Sequence, residues 1–410
     1  MEFFFQVKKV DQIYQELFLL PPLPKEEVAL LRAVGRFLAE DVIAPEDLPP
    51  FARSTMDGYA VRAQDVFGAR ESEPVILRLK GDIPMGVVPN FQLETGETAR
   101  IATGGMLPPG ADAVVMVEYT QEIGDLVEIT RPVAPGENLL QRGEDIRAGE
   151  ILLPKGTKLQ AGQIGLLAQA GLTHVKVCSP PKVAIISTGD ELVPPQDSPS
   201  LAQVRDTNSY SLAAGVLEAG GEPLLLGIVP DREEDLSQAL NKGLIEAHVV
   251  LISGGSSVGT RDFTLRCIKR LPGARLLCHG VALRPGKPTI VAQVGPQIVF
   301  GLPGQMASAL LVFYVLVRPY LLHLQGAKVR DIALPKIKAR ATRNIPSPLG
   351  REDYVRVRLK EDKDSGFLAE PIFRPSGLIS SMAQAHGLLR IPETSEGVYQ
   401  GEEIDVFLLP

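Results

Sequence analysis

Tryptophan is absent from the 410 residues, aromatic side chains make up only 5%, and cysteine occurs three times. Each scarcity closes off a class of function. With so few rings, stacking platforms for bases or sugars are disfavoured. Cys178, Cys267 and Cys278 form no CxxC pair and leave an odd count, which argues against a disulfide framework or a structural zinc site. Positive charge is also in short supply: 42 Lys and Arg face 49 Asp and Glu, a formal net charge of −7, so a grip on nucleic-acid phosphates is not expected. His174, His248, His279, His323 and His386 show no metal-ligand spacing and read as core or surface residues. The longest apolar run, Met306 to Val317, is interrupted by Arg318 and Pro319, well short of the ~20 residues that span a bilayer. The start, MEFFFQVKKV, carries Glu2 where a leader would be basic. A cytoplasmic protein without a membrane span is the expectation.

Glycine and proline, by contrast, are abundant, at 39 and 34 residues, and point to many turns and to anion sites built from backbone. At roughly 100 to 200 residues per domain the length implies two to four domains. From Asp11 to Glu40 apolar residues fall at helical spacing in two segments separated by Pro21, Pro22 and Pro24, the pattern of a short helical hairpin. Residues 45–145 read as an irregular, mostly antiparallel β segment, with runs such as AVVMVEY and LVEITRPV between turn clusters. Helical spacing returns from Leu159 to Gly171. From Val183 to about Gln325, VAIIS, LLLGIV, HVVLIS and IVFGL are short continuous apolar runs alternating with helical stretches, the pattern of a buried, mostly parallel sheet. After Gly326, YVRVRL alternates strictly, as in a small β domain. The fold class is therefore multidomain α+β. Its parts are an N-terminal helical and mixed domain (1–46 plus 142–178), an inserted β domain (47–141), an α/β domain (179–327) and a C-terminal β domain (328–410).

In open α/β sheets, ligands bind beyond the carboxyl ends of the strands. Three such exits carry chemistry: Ser187-Thr188-Gly189-Asp190-Glu191, the loop Gly254-Gly255-Ser256-Ser257 with Asp262 beyond it, and Gly301-Leu302-Pro303-Gly304. Glycine turns entering helices can hold phosphate on their N–H groups. Arg284 and Lys287 around a Pro-Gly turn form a plausible anion clamp, and Glu191 and Asp262 could hold Mg²⁺ against phosphate oxygens. Asp231, three residues before Glu234, equally fits a helix capping box. Arg356 and Arg358 read as residues of a solvated strand face.

Seven strings, PFARSTMDGYAV, ATGGMLPPGADAVV, GEDIRAGEILLPKGTKL, VAIISTGDELV, SGGSSVGTRDFT, LRPGKP and VFGLPG, occur in the order found in one family. Together with GREDYVRV and PSGLISSMAQAHGLLRIP they span nearly the whole chain, which resembles the MoeA proteins, the molybdopterin molybdenumtransferases, and the E domain of gephyrin. The resemblance implies a homodimer of four-domain chains with a MoaB/Mog-like α/β domain. It implies an enzyme of molybdenum cofactor biosynthesis, in which molybdate enters the dithiolene of adenylylated molybdopterin with Mg²⁺-dependent hydrolysis and release of AMP. A molybdopterin adenylyltransferase would be the upstream donor, and molybdoenzyme apoproteins or their chaperones the recipients. Carried onto matching positions, Glu191, Asp231 and Asp262 are the catalytic acids, with Glu191 and Asp262 holding Mg²⁺. Lys287, Arg284, Ser257, Ser308, Arg351, Ser376, Gly254, Gly255 and Gly304 hold substrate and molybdate. Asp57, Thr103 and Asp145 complete the cleft of the partner chain.

The chain departs from the family's pattern at four places: Arg284 for lysine, Gln305-Met306 for Asn-Pro, Ser256 for valine and His386 for asparagine. A non-catalytic molybdopterin-binding scaffold is one rival; it predicts lost acids or added linkers, and neither is seen. Adenylyltransferase activity is another, opposed by the MDGYA and PSGLISS segments that a stand-alone adenylyltransferase lacks. The sequence does not distinguish molybdate from tungstate.

Overall fold

The computed structural model of the chain describes residues 7–254, 258–362, 366–375 and 377–410, the side chains of 258–262 excepted. The chain divides into two compact units, Met1–Glu40 with Lys155–Ala161 and His174–Pro410, and Asp41–Pro154 with Gly162–Thr173.

At the heart of the first unit lies a six-stranded sheet, in the order Glu222–Val229, Lys182–Thr188, Val249–Gly254, Gln297–Leu302, Ile290–Val294, Ala274–His279. The first four run parallel, and Ile290–Val294 is antiparallel to both its neighbours. The continuous apolar runs are explained by burial of both faces. Val183, Ile185, Val249, Leu251 and Phe300 pack to one side with Leu212, Val216 and Phe313. Their sequence neighbours Ala184, Ile186, Val250, Ile252 and Val299 pack to the other, against Leu236, Leu240, Leu265 and Ile268. Each buried Val, Leu, Ile or Phe among them contributes on the order of 1.5–3 kcal/mol. From Lys182–Thr188 the chain passes through helix Asn208–Glu218 to the edge strand, then crosses back through helix Glu233–Glu246 to Val249–Gly254. The strand order thus reverses at Lys182–Thr188, and a crevice opens between the ends of that strand and Val249–Gly254.

Arg318 and Pro319 do not interrupt the apolar helix. It runs from Met306 to Leu324, long and apolar enough to cross a bilayer, yet 78% of its apolar window is buried inside this fold. A π-helical turn at Phe313–Val317 precedes Pro319. Proline cannot bond the carbonyl four residues back, here that of Val315, and the Tyr14 hydroxyl donates to that oxygen instead.

The expected N-terminal helical hairpin is half right. Val10–Leu17 is a helix, but Lys25–Ala29 is a strand, followed by a 3₁₀ turn at Leu30–Ala33. Its helical spacing is overridden by antiparallel pairing with His174–Cys178, a partner that no local pattern announces. The three cysteines are free and buried, and burial pushes the Cys278 thiol up to about 12.

The C-terminal strands form a closed sheet: Glu352–Asp362, Gly366–Pro371, Lys336–Ala341, Glu403–Leu408 and Gly387–Ile391, which pairs back with the first. Ala339, Val357, Ala369, Leu389, Ile391, Ile404 and Val406 fill it. The short strand Leu283–Arg284 pairs in parallel with Glu352–Asp353, tying this barrel to the α/β domain. The second compact unit contains a six-stranded, largely antiparallel sheet around Tyr59, Val61, Val115, Val127 and Ile129.

Candidate functional site

Three cavities of the first unit succeed one another through shared lining residues. The first, of about 120 Å³, sits at the strand-order reversal and is lined by Thr188, Glu191, Asp206, Asn208, Ser253, Gly254 and Gly304 among others. Buried Ser187 donates its hydroxyl to Asp206 Oδ1 at 2.9 Å and lies 2.9 Å from the Ser209 hydroxyl. Asn208 Nδ2 donates to Ser253 Oγ at 2.5 Å and to the Gly304 carbonyl at 2.8 Å, while its Oδ1 is buried with no partner among the described residues. A buried, unpaired acceptor is costly and is expected to find a donor on a guest.

Asp231 stands beside this cavity's acids. Its backbone N–H donates to Asp190 Oδ1 at 3.1 Å, and its own Oδ1 is buried with no partner among the described residues. It is not the helix cap, because the helix Glu233–Glu246 is capped by Arg232 without a side-chain bond. Burial above all, and then the charges of Asp190 and Glu191, push the Asp231 carboxyl up from the usual aspartate range, against a hydrogen bond from Thr188. A divalent cation would relieve this crowding and fill the vacant acceptor. Among the described residues no three His, Cys, Asp or Glu side chains form a ready metal site, so any cation held here would complete its shell with ligand oxygens and water, as Mg²⁺ commonly does.

The second cavity, of about 260 Å³, shares Gly304 and is lined by Arg284, Lys287, Ser308, Arg351 and Gln305. Lys287 follows the Pro285-Gly286 turn, where Gly286 has φ +127° and a Cβ would come within 2.5 Å of Leu283 Cδ1 and 2.6 Å of Val312 Cγ2. Glycine is thus required by both conformation and space. Gln305 takes the N-cap position of the apolar helix, and its carbonyl accepts the Ser308 N–H at 3.0 Å. The replacement of Asn-Pro by Gln-Met therefore still leaves Ser308 in the first helical turn, buried but lining the pocket.

A third cavity, of about 410 Å³, shares Arg284 and Pro285 and adds Asp353, Tyr354, Arg356, Phe373 and Arg374. Buried Asp353 accepts from Ser347 Oγ at 3.2 Å and from Arg284 at 3.4 Å.

Of the residues singled out in the sequence, the structure gathers Glu191, Gly254 and Gly304 at the first cavity with Asp231 alongside, and Arg284, Lys287, Gly304, Ser308 and Arg351 at the second. Gly255, Ser256, Ser257 and Ser376 lie outside the described residues, as does the side chain of Asp262, whose backbone belongs to helix Val258–Arg270. In the second compact unit, Asp57 accepts from the Thr103 N–H at 2.7 Å and hydroxyl at 2.9 Å, bonds that hold its carboxyl below the usual range. Asp145 is exposed on another loop, its N–H bonded to the Leu48 carbonyl at 3.0 Å. His386 and His248 accept backbone N–H groups of Leu359 and Lys182 and take no part in the cavities.

Sequence reasoning missed Asp206, Asn208 and Ser209, which read locally as a polar helix start, and it placed Arg356 in solvent, whereas the residue is half-buried. The polar run DTNS at a helix start was the available signal for the first three.

Three family models match the chain: the MoeA N-terminal region (domain I and II) over residues 6–171, a probable molybdopterin binding domain over 184–323, and the MoeA C-terminal region (domain IV) over 338–409. A molybdopterin molybdenumtransferase of Nostoc is 37% identical, covering 96% of this chain and 91% of the relative. The enzyme of that name from Bacillus subtilis is 34% identical, covering 94% and 90%. A solved MoeA protein from Pyrococcus horikoshii superposes with a TM-score of 0.85 at 34% identity, covering 98% of this chain and all of that one.

Proposed function

The chain belongs to the MoeA family of molybdopterin molybdenumtransferases and acts in molybdenum cofactor biosynthesis, and from that premise we propose that it inserts molybdate into the dithiolene of adenylylated molybdopterin with release of AMP. The observation that carries this is the adjacency, through Gly304, of a cavity edged by acids to a pocket lined by cations. A phosphoanhydride and a tetrahedral oxyanion have opposite needs. The oxyanion requires cations and hydroxyl donors, which Lys287, Arg284, Arg351 and Ser308 supply. The anhydride requires its developing charge to be neutralised, and Glu191 and Asp262 are the groups that would hold Mg²⁺ for this, with Asp231 beside Glu191. Bound Mg²⁺ would supply charge neutralisation at the leaving phosphate. Asp231, its ionisation opposed by burial, is suited to hold or pass a proton beside the anhydride.

The same reading makes the protein a cytoplasmic homodimer of four-domain chains, in which Asp57, Thr103 and Asp145 of one chain complete the other's cleft. An adenylyltransferase supplies its substrate, and apoenzymes or their chaperones take its product. Mixing inactive Asp57→Ala with inactive Glu191→Ala chains should then restore turnover; a mixture that stays inactive would mean that each chain builds its own site. For the reaction itself, purified protein is given adenylylated molybdopterin, molybdate and Mg²⁺. Molybdate-dependent AMP release is expected, and AMP no faster than the uncatalysed rate would remove the transferase reading.

A further inference from the structure

A single amide of the first cavity shows which part of a ligand can lie against it. Asn208 opens the helix Asn208–Glu218 and is only 9% exposed. A carboxamide has two N–H donors and one carbonyl oxygen. Both donors are spent, on Ser253 Oγ and on the Gly304 carbonyl. A backbone carbonyl only accepts, so Gly304 decides which end of the amide faces it and leaves Oδ1 as the atom that Asn208 presents to the cavity. That oxygen has no partner among the described residues. Turning the amide over would set two acceptors against each other at Gly304, so a flip does not mend the deficit.

The mount of this acceptor is fixed from several elements. Asp206, itself 4% exposed, accepts from Ser187 Oγ at 2.9 Å and from the Ser209 N–H at 3.1 Å. Its own N–H donates to the Val193 carbonyl at 2.9 Å. The start of the helix is thereby tied to the strand Lys182–Thr188 and to the segment Leu192–Val193, and the Asn208 oxygen is in place before a guest arrives.

An acceptor excludes as much as it selects. Phosphate, molybdate and carbonyl oxygens are acceptors too, so neither the anhydride nor the oxyanion belongs against Asn208. Leu192 and Val204 contribute apolar surface to the same cavity. Mg²⁺, which keeps several of its waters, gains nothing from that wall, and a sugar hydroxyl would leave it wet. A flat nitrogen heterocycle with an exocyclic amino group satisfies both demands, because its N–H meets Oδ1 and its face covers the apolar pair.

We propose that Asn208 determines specificity in this cavity by accepting a hydrogen bond from the exocyclic amino group of a nitrogen heterocycle. The proposal rests on the transferase reading only for the choice of ring. Adenylylated molybdopterin carries one such amino group on its adenine and another on its pterin, on opposite sides of the anhydride. Glu191 edges the same cavity, so the ring that enters stands next to the bond that breaks.

The test compares the full-length wild type with Asn208→Ala and Asn208→Asp. Titration calorimetry sets AMP against IMP, and ligand fluorescence sets pterin against lumazine; in each pair the second compound has an oxo group where the first has its amino group. The wild type should prefer the amino form of one pair roughly tenfold or more, as loss of a bond to a buried acceptor requires. Preference within the nucleotides assigns the cavity to adenine, and within the pteridines to the pterin. Asn208→Ala should abolish that preference. Asn208→Asp gives up the two donors but keeps an acceptor of the same shape, so it should retain the preference, whereas a purely structural amide would be missed equally in both variants. The proposal is overturned if the wild type prefers neither amino form, if Asn208→Ala keeps the preference, or if Asn208→Asp loses it. Should Asn208→Ala fail to fold, the wild type and Asn208→Asp decide by the same criteria. None of these measurements needs turnover. A protein that shows the preference yet releases no AMP from adenylylated molybdopterin keeps this role for Asn208 and loses the transferase reading; one that releases AMP without the preference does the reverse.

Discussion

The two ends of the crevice solve opposite electrostatic problems with opposite economies of hydrogen bonding. At the sheet's carboxyl end, acceptors are in surplus: Asn208 Oδ1 and Asp231 Oδ1 are buried without donors among the described residues, and Asp190 and Glu191 crowd Asp231. Toward the barrel, cations outnumber acids, with Arg284, Lys287, Arg351, Arg356 and Arg374 lining two pockets that contain one carboxylate among the described residues. The acid end is not arranged for stability, since an unpaired buried polar group costs about 1–3 kcal/mol. Imbalance of opposite sign on the two sides of Gly304 suits a ligand that brings a cation-demanding anhydride to one end and an oxyanion to the other.

Removing charge at the acid end should have the largest effect. Glu191→Gln is expected to slow AMP release by roughly 10²–10³, the loss typical of a removed electrostatic stabiliser; a variant retaining at least half the wild-type rate would detach this end from the chemistry. The hinge between the two ends comes next. Gly286→Ala meets Leu283 and Val312 at contact distances no side chain tolerates and requires φ +127° of alanine. It should therefore lower stability by about 1–3 kcal/mol in denaturant melts and weaken molybdate binding with it. A neutral result would show that the turn does not set the clamp. The smallest effect concerns pH. Asp231 has a raised carboxyl, so the folded state binds its proton more tightly than the unfolded chain does, and the stability this proton lends is lost as pH rises through the folded value. Asp231→Asn should thus melt higher than the wild type at about pH 7 and at the same temperature at about pH 3, where both forms are neutral. Equal melting at both pH values would show that the crowding is relieved without a cation.

How much of this was legible in the sequence depends on the distance over which each feature is decided. The strands of the α/β sheet show in VAIIS, HVVLIS and IVFGL because burial on both faces is written into each run. Glu191, Arg284 and Lys287 follow, since they stand immediately beyond strand ends or in the Pro-Gly turn. Lys25–Ala29 was misread because its strand is made by His174–Cys178, far along the chain. Arg356 was misread for a related reason. The alternation of YVRVRL shows that the strand has two faces, but only the pairing of Leu283–Arg284 with Glu352–Asp353 decides which side of the barrel abuts the crevice. Asn208 looked like one more polar residue at a helix start until folding set its amide against Ser253 and Gly304.

The division of labour between the two ends is the central claim, and equilibrium molybdate binding tests it most directly in two variants side by side. Lys287→Ala should bind molybdate roughly 10-fold more weakly or worse, as loss of a charge-assisted contact requires, while Glu191→Gln should bind it as the wild type does despite releasing little AMP. The reverse pattern, or equal loss in both, would contradict the account.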